Sequence, residues 1–408
     1  ALPISLDDLN RELGRRGTGL FFAPDPATSG QAAIGGAIGN NAAGARSIMY
    51  GRTSENVAGI EVALSTGERV WLEAGAGERD PVARRLAEGV IDVVRRHEGL
   101  IRERYPKTIR RNAGYGLDLV LQQLDEGATA ETIDLSGLLC GSEGTLGVTL
   151  RARLRLHPVP RGRALAVIGF VSLEDALAAV GPVLGTGPSA VELLDDVVLD
   201  AARGNIEYRK YVELLPGGKA QAEGSGLLMQ AVLYVEYSAF GDEPRGELEG
   251  RFAALRAVVK GLGGVTGMDE HLDEAAMLRA WKLRKAGEPL LHGLPGRRKP
   301  ITFVEDNAVP VERLREFVRG FKEIVGRHGT RAAYWAHASV GVLHVRPMLD
   351  IHDPEDRVRL RRIAVEVADL ARSVGGVMSG EHGDGKVRGP LLERFYGPEL
   401  VGAFAEIK

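Results

Sequence analysis

Beyond residue 160 the chain repeats one pattern, a strand-like apolar run followed by a capped helical segment. Leu165–Phe170 reads as a strand, and Ser172 with Asp175 reads as the N-terminal cap of a helix reaching Leu184. Val191–Leu194 and Leu227–Tyr237 are strand-like, and a helix is expected over about 246–262. The pattern returns in Ile301–Val304, in a helix over about 311–327, and in Arg331–Ala336. A helix over 354–374, strongly charged on one face, leads into Gly375-Gly376. This order restricts the second half to an α+β domain, with helices packed on one face of an antiparallel sheet.

The first half has a different texture. Ser5 with Asp8 marks a helix start, Leu6, Leu9 and Leu13 keep helical spacing, and Gly14 and Gly17 mark the exit. Phe22 through Gly51 shows no sustained apolar period and reads as a long loop. Loops of that length are usually functional or disordered, and the alanine and isoleucine content here argues against disorder. Ile60, Val62 and Leu64 alternate before Ser65-Thr-Gly67 and Val70–Leu72, which is a β-hairpin pattern. Residues 82–104 look helical, and Arg110-Arg111-Asn112-Ala-Gly-Tyr115 interrupts before Leu135–Leu139 and the loop Cys140–Thr145. A strand follows, with Val148, Leu150, Ala152, Leu154 and Leu156 on one face and Arg151, Arg153, Arg155 and His157 on the other. Pro158 and Pro160 end it, so the expected domains are 1–158 and 159–408.

Composition excludes several classes. A formal net charge of −3 over 408 residues gives no reason to expect nucleic acid or an anionic membrane surface as partner. No apolar run within these residues is long enough to span a bilayer, and no signal-peptide pattern is expected among them. One cysteine, Cys140, rules out an internal disulfide or a four-cysteine cluster within these residues; it reads as a small buried side chain. The 54 glycines exceed the average usage of about 7% and fall in short clusters, which suggests loops that hug a ligand.

The polar stretch with the sharpest geometry is His337-Ala-Ser-Val-Gly-Val-Leu-His344. On one helix the two imidazoles would lie roughly 10 Å apart along the axis, too far to share a metal bound at about 2 Å. On a straight strand their odd offset sends them to opposite faces. Shared ligation therefore needs a turn, which Gly341 permits; two independent histidines remain the alternative. A second polar knot follows at Ser379-Gly-Glu381-His382-Gly-Asp384-Gly385, readable as a functional pair or as a polar turn.

The glycine- and asparagine-rich stretch is neither a nicotinamide-type Gly-x-Gly-x-x-Gly nor a Walker loop, and on physical grounds it is equally a turn region or a cofactor loop. Pro24-Asp-Pro-Ala-Thr28, Ile34-Gly-Gly36, Asn40-Asn41-Ala-Ala-Gly44, Arg46-Ser47, Tyr50-Gly51 and Gly141-Ser-Glu-Gly-Thr-Leu-Gly-Val148 occur in order. This series resembles the FAD-binding domain of vanillyl-alcohol-oxidase-type flavoenzymes. His337–Pro347 and Ser379–Gly385 resemble its FAD-linked 2-hydroxy-acid dehydrogenase branch: D-lactate dehydrogenases, glycolate oxidase subunits and D-2-hydroxyglutarate dehydrogenases. The resemblance covers nearly the whole chain and is nearest to large bacterial members with a fused iron–sulfur domain. The fold it implies is α+β, a partial FAD-binding domain followed by a ferredoxin-like α+β substrate or cap domain.

Carried over by position, Pro24, Asp25, Pro26, Thr28, Gly35, Gly36, Asn40, Asn41, Gly44, Ser47, Tyr50 and Gly51 resemble one wall of the FAD site. Ser142, Glu143, Gly144 and Val148 resemble a second wall, although Glu143 could equally cap a turn. His337, His344 and Glu381 resemble the family's ligands for a divalent metal, zinc or manganese, and His382 resembles its base. Arg284, Lys299 and Arg346 are candidates for the cation that binds a substrate carboxylate, with solvated charge as the alternative for Arg284 and Lys299.

The implied activity is FAD-dependent oxidation of a D-2-hydroxy acid of the D-2-hydroxyglutarate or D-lactate type. Electrons would pass to an iron–sulfur domain, a quinone or a carrier protein, in the cytoplasm or at the periphery of the inner membrane. Flavin chemistry of another kind, as in ether-lipid synthesis, and a non-catalytic assembly subunit are the competing readings. Where many relatives have Asp-Gly-Asn between the histidines, this chain has Ser339-Val-Gly-Val342, so a polar contact to substrate is expected to be missing. The resemblance also implies a first flavin subdomain before Ala1, and an Asn-Pro-Gly segment and cysteine-rich domain after Lys408. Residues 1–408 alone are therefore expected to retain flavin weakly or not at all.

Overall fold

The computed structural model describes residues 4–218 and 228–408. It divides into two compact units, Ala1–Val159 with Ser379–Lys408, and Pro160–Met378. The first crossing falls beside the proline pair. The second has no counterpart in a linear reading of 159–408 as one domain. Hydrogen bonds explain it: Asn112 N donates to Ser379 O (2.8 Å), Gly114 N to Asp384 Oδ2 (2.7 Å) and Tyr396 OH to Ala113 O (2.8 Å).

In the first unit, Ser5 caps the helix Leu6–Arg15 by accepting from Asp8 N. β1 (Leu20–Phe21) pairs with β5 (His157–Pro158). β2 (Val57–Ala63), β3 (Arg69–Leu72) and β4 (Val148–Leu154) form an antiparallel sheet in the order β3-β2-β4, so the expected hairpin is present. Three local expectations change. The run Phe22–Gly51 carries short helices at Ile34–Gly39 and Ser47–Tyr50, fixed by long-range partners such as Asn10, whose Oδ1 accepts from Phe22 N. The helix expected over 82–104 is two helices, Pro81–Arg96 and Glu98–Arg104, with the break at His97. At the edge strand β4, only Leu154 and Leu156 of the apolar row join the Leu6–Phe22 core, while Val148 and Leu150 are 65% and 42% exposed.

The second unit is built on one antiparallel sheet. Its strands are β6 (Gly162–Phe170), β7 (Ala190–Leu194), β8 (Ala231–Ala239), β9 (Val265–His271), β10 (Lys299–Pro300), β11 (Asn307–Ala308), β12 (Ala332–His337) and β13 (Val342–Leu349). Their order is β10-β13-β12-β7-β8-β6-β9, with β11 also on β13. The strand expected from Leu227 begins at Ala231; Leu227 lies outside the described residues. The strand expected at Ile301–Val304 is not one. Asp306, at φ 73°, turns the chain there, and the paired residues are Lys299–Pro300 and Asn307–Ala308.

Helices cover both sheet faces, not one. Alternation along β6 shows why: Ala164, Ala166, Ile168 and Phe170 enter a core with the helices Leu173–Leu184, Pro244–Val259, Leu314–Arg327 and Pro354–Ser373. Leu165 and Val167 enter a second core with Asp196–Arg203 and Glu274–His292. A strand apolar on both faces demands two covers, and each large side chain so buried contributes about 1.5–3 kcal/mol.

Asp195 caps Asp196–Arg203: its Oδ1 accepts from Val198 N (3.0 Å), and its Oδ2 accepts from Tyr334 N (2.7 Å). Burial outweighs these donors and pushes its carboxyl up to about 8. The folded protein then holds a proton that the unfolded chain has already lost. This contribution to stability is complete below the ordinary carboxylate range and is lost as pH rises to about 8. Asp195→Asn should flatten this part of the profile, checked by urea midpoints from about pH 4 to about pH 9. Parallel profiles for the two proteins would refute the assignment.

Candidate functional site

The second unit gathers its polar residues on the sheet face that carries Leu165, Val167 and the helix Glu274–His292. In the β12–β13 hairpin Trp335 stands opposite His344, Ala333 opposite Arg346, and His337 opposite Val342. On the other side of β12, His337 stands opposite Glu192 of β7. Directly opposed residues share a face, so Glu192, His337, His344 and Arg346 all project the same way. The turn is a short 3-10 segment, Ala338–Val340, closed by Gly341 at φ 71°. A Cβ at Gly341 would lie 1.9 Å from Val309 O. The odd offset between the histidines is thereby cancelled, and their rings stand 5.2 Å apart.

Each ring is braced. His337 Nδ1 lies 2.7 and 2.9 Å from the oxygens of Glu192, which is 1% exposed and accepts from Arg284 NH2 at 2.5 Å. His344, 5% exposed, stacks on Trp335 with ring centroids 5.6 Å apart. Arg346 packs over the same Trp335 ring, 4.8 Å from its centroid, and pairs with Glu305 at 3.2 Å. Asp306 and His344 offer ligand atoms within 4.8 Å of each other. The Ser339 side chain is fully buried, and its Oγ has no hydrogen-bond partner among the described residues. Of the three candidate carboxylate clamps, Arg284 and Arg346 thus each hold a buried glutamate, and Lys299 donates to Leu294 O.

The first unit holds the Glu381–His382 knot. Arg110, 1% exposed, donates from Nε to Ser47 Oγ (2.6 Å), from NH1 to Glu381 Oε2 (2.7 Å), and from NH2 to Gly44 O. Asn40 Nδ2 and Asn112 Nδ2 both donate to Glu381 O, at 3.0 and 2.9 Å. His382, 39% exposed, places Nε2 3.6 Å from Glu381 Oε1. Glu143, at φ 53°, accepts from Asp384 N (2.7 Å) and Gly385 N (3.2 Å), which is the turn-capping role.

The glycine-rich segment is pinned at its ends and open in the middle. Arg46 donates to Asp25 at 2.9 Å, and a Cβ at Gly44 would lie 1.9 Å from Asp25 O behind the buried Pro24. Pro26 O and Thr28 O accept the backbone donors of Ser29 and Gln31. Asn41, at φ 48°, accepts from Ser54 N, and Gly51 N donates to Ser47 O. Tyr50 packs edge-on against Phe21 and His157. Gly35, Gly36 and Gly144 have nothing within 4 Å of an added Cβ, so a flat or anionic group can approach the backbone closely there. Ser142 is buried, and Cys140 beside it has a thiol that burial pushes up to about 12, as expected of an inert side chain.

Four residues escaped the reading of the sequence. Arg110 and Asn112 stood in a visible polar interruption, Arg110–Tyr115, but nothing local connects them with Glu381. Asp306 stood in Glu305-Asp-Asn307, where an acidic run inside an apolar stretch was the available signal. Glu192 stood within an apolar strand, Val191–Leu194, and a lone acid there was the clue. The pairing of Arg110 with Glu381 leads to a stability prediction. Arg110→Met would remove the guanidinium from the buried Glu381 carboxylate and should destabilise the protein by about 3–5 kcal/mol in urea denaturation. Gly341→Ala should cost roughly 1–3 kcal/mol from the left-handed backbone alone, before the clash at Val309 O. A loss under about 0.5 kcal/mol in either variant would contradict the corresponding geometry.

Comparison with known proteins identifies the family. Residues 159–408 match the family described as FAD linked oxidases, C-terminal domain, and residues 4–73 match an FAD binding domain. The chain is 32% identical to D-2-hydroxyglutarate dehydrogenase of Pantoea ananatis over 98% of its own length and 39% of that protein. It is 26% identical to glycolate oxidase subunit GlcD of Bacillus subtilis, over 96% of this chain and 68% of the relative. Among solved structures it resembles p-cresol methylhydroxylase with substrate bound, with a TM-score of 0.62 at 14% identity, over 99% of this chain and 72% of that one. The α+β fold is therefore that of the vanillyl-alcohol-oxidase type. With residues 159–408 matched to that C-terminal domain and an FAD binding domain matched before it, the chain belongs to the FAD linked oxidases.

Proposed function

We propose that this protein takes part in the FAD-dependent oxidation of a D-2-hydroxy acid, of the D-2-hydroxyglutarate or D-lactate type, to the 2-oxo acid. The observation that carries the reading is the hairpin that sets the His337 and His344 rings 5.2 Å apart on one sheet face, with Glu192 behind His337. The chain spans 39% of the length of the D-2-hydroxyglutarate dehydrogenase of Pantoea ananatis, so the reaction of the whole protein is inferred.

The residues suit the groups the reaction needs. His337, His344 and Glu381 are the proposed ligands of a divalent metal, zinc or manganese, with Asp306 beside His344 as a further oxygen donor. Two imidazoles and carboxylate oxygen suit such an ion. When bound, the metal supplies a Lewis acid for the substrate's carboxylate and hydroxyl. The FAD wall is proposed as Pro24–Thr28, the open glycines Gly35 and Gly36, Asn40–Gly44, Ser47–Gly51 and Ser142–Val148. FAD, when bound, supplies the acceptor for the α-hydrogen and its electron pair.

The chain's own part is to hold the acid and move one proton. A ring nitrogen of His382 takes the hydroxyl proton, as a neutral imidazole can near neutral pH. Arg284, Lys299 and Arg346 are the proposed cations for the carboxylate. Arg284 and Arg346 are already oriented by Glu192 and Glu305, which sets their planes before substrate arrives. Electrons would leave through an iron–sulfur domain, a quinone or a carrier protein. No helix among the described residues is long and apolar enough to cross a membrane. A cytoplasmic place, or one at the periphery of the inner membrane, is part of the same proposal.

The test is an anaerobic screen of the full-length protein with FAD and Zn²⁺ or Mn²⁺ against D-2-hydroxyglutarate, D-lactate and glycolate. At least one acid should bleach the flavin absorbance, and failure of all three would refute the reading. His382→Ala should retain flavin and lose about 10²–10⁴-fold in turnover. Unchanged turnover would place the base elsewhere.

A further inference from the structure

We propose that Glu192 is a positioning residue, whose carboxylate sets the tautomer of His337 and aims the Arg284 guanidinium. This rests on the reading of His337 as a metal ligand and adds a part of the site that the ligand motifs do not contain.

The argument starts from burial. Glu192 is 1% exposed, in the middle of β7, directly across from His337 of β12. A carboxylate so far from water needs donors facing its oxygens. Here Arg284 NH2 donates to Oε2 at 2.5 Å. With a guanidinium on one oxygen, the carboxylate turns acceptors towards His337. Its oxygens lie 2.7 and 2.9 Å from His337 Nδ1, so Nδ1 must donate. In a neutral imidazole the lone pair is then on Nε2.

That is the form a ligand needs, reached before any ion arrives. The backbone holds this chain of contacts rigidly. Cross-strand register places Glu192 and His337 side by side, and the helix Glu274–His292 brings Arg284 over the same face. The closeness of His344, with its ring 5.2 Å from that of His337, leaves little freedom for ring rotation. One buried acid thus ties a proposed metal ligand to a proposed substrate clamp. Glutamine has the same size but can donate as well as accept, so it would not impose a tautomer on His337.

Two readouts decide the matter on the full chain. The first is the two-bond ¹H–¹⁵N correlation spectrum of ¹⁵N-histidine-labelled protein without metal, with His337 assigned by the His337→Asn variant. Wild type should show the Nδ1–H tautomer, Glu192→Gln a mixture, and Glu192→Asp a return towards Nδ1–H. The second is Zn²⁺ titration calorimetry, in which Glu192→Gln should bind about 10–100-fold more weakly than wild type. An Nε2–H tautomer in the wild type overturns the inference, and it does so even if Glu192→Gln does not fold. Equal Zn²⁺ affinity in the two proteins overturns it as well, leaving Glu192 a structural ion pair. A wild type that binds no Zn²⁺ overturns the metal reading itself, while the spectrum still decides the tautomer.

Discussion

The parity of a β-strand governs this site. Successive side chains alternate between faces, so two histidines seven positions apart on one strand can never meet. The chain escapes by folding back between them. Ala338–Val340 and Gly341 make a turn whose register sets Trp335 against His344 and His337 against Val342. Both imidazoles then share a face, and the other polar residues of that face follow. Glu192 stands opposite His337, and Arg346 lies two places along from His344. Gly341 cannot be replaced cheaply, because both its left-handed backbone and its closeness to Val309 O forbid a side chain.

Charge burial is the second organising fact. Arg110 with Glu381, Arg284 with Glu192, and Arg346 with Glu305 are ion pairs almost or largely withdrawn from solvent. Such pairs seldom add net stability compared with apolar packing, but removing one partner is severe. Each pair also fixes a neighbouring group: Arg110 reaches Ser47 and Gly44, Glu192 reaches His337, and Arg346 lies over Trp335 beside His344.

Local signals in the sequence were read well where the physics is local. Ser5 and Ser172 cap helices by side-chain oxygen to backbone N–H, as short-range chemistry allows. The hairpin at Ser65-Thr-Gly67 formed as its pattern required. Misreadings occurred where distant partners decide. The segment Phe22–Gly51 looked like a loop because its helices have no apolar period of their own. The sheet of the second unit was expected to have one covered face because the helices read from the sequence did not include Asp196–Arg203 and Glu274–His292, which cover the other. Glu143 offered two roles to a reader of the sequence, and only the fold showed that it accepts from Asp384 N and Gly385 N, over two hundred residues away.

By itself the sequence determined several of the strands and capped helices, the need for a turn between His337 and His344 if they are to meet, and the family to which these motifs belong. Those follow from periodicity, capping and motif order, which involve neighbours along the chain. Only the tertiary structure decided that Asp306 would stand beside His344, that Glu192 would brace His337, and that Arg110 would hold Glu381. It also decided that Ser379–Lys408 packs with the first unit. The physical reason is common to all four. Buried polar groups must find partners, and the partner is chosen by strand register and helix packing, which no short stretch of sequence contains.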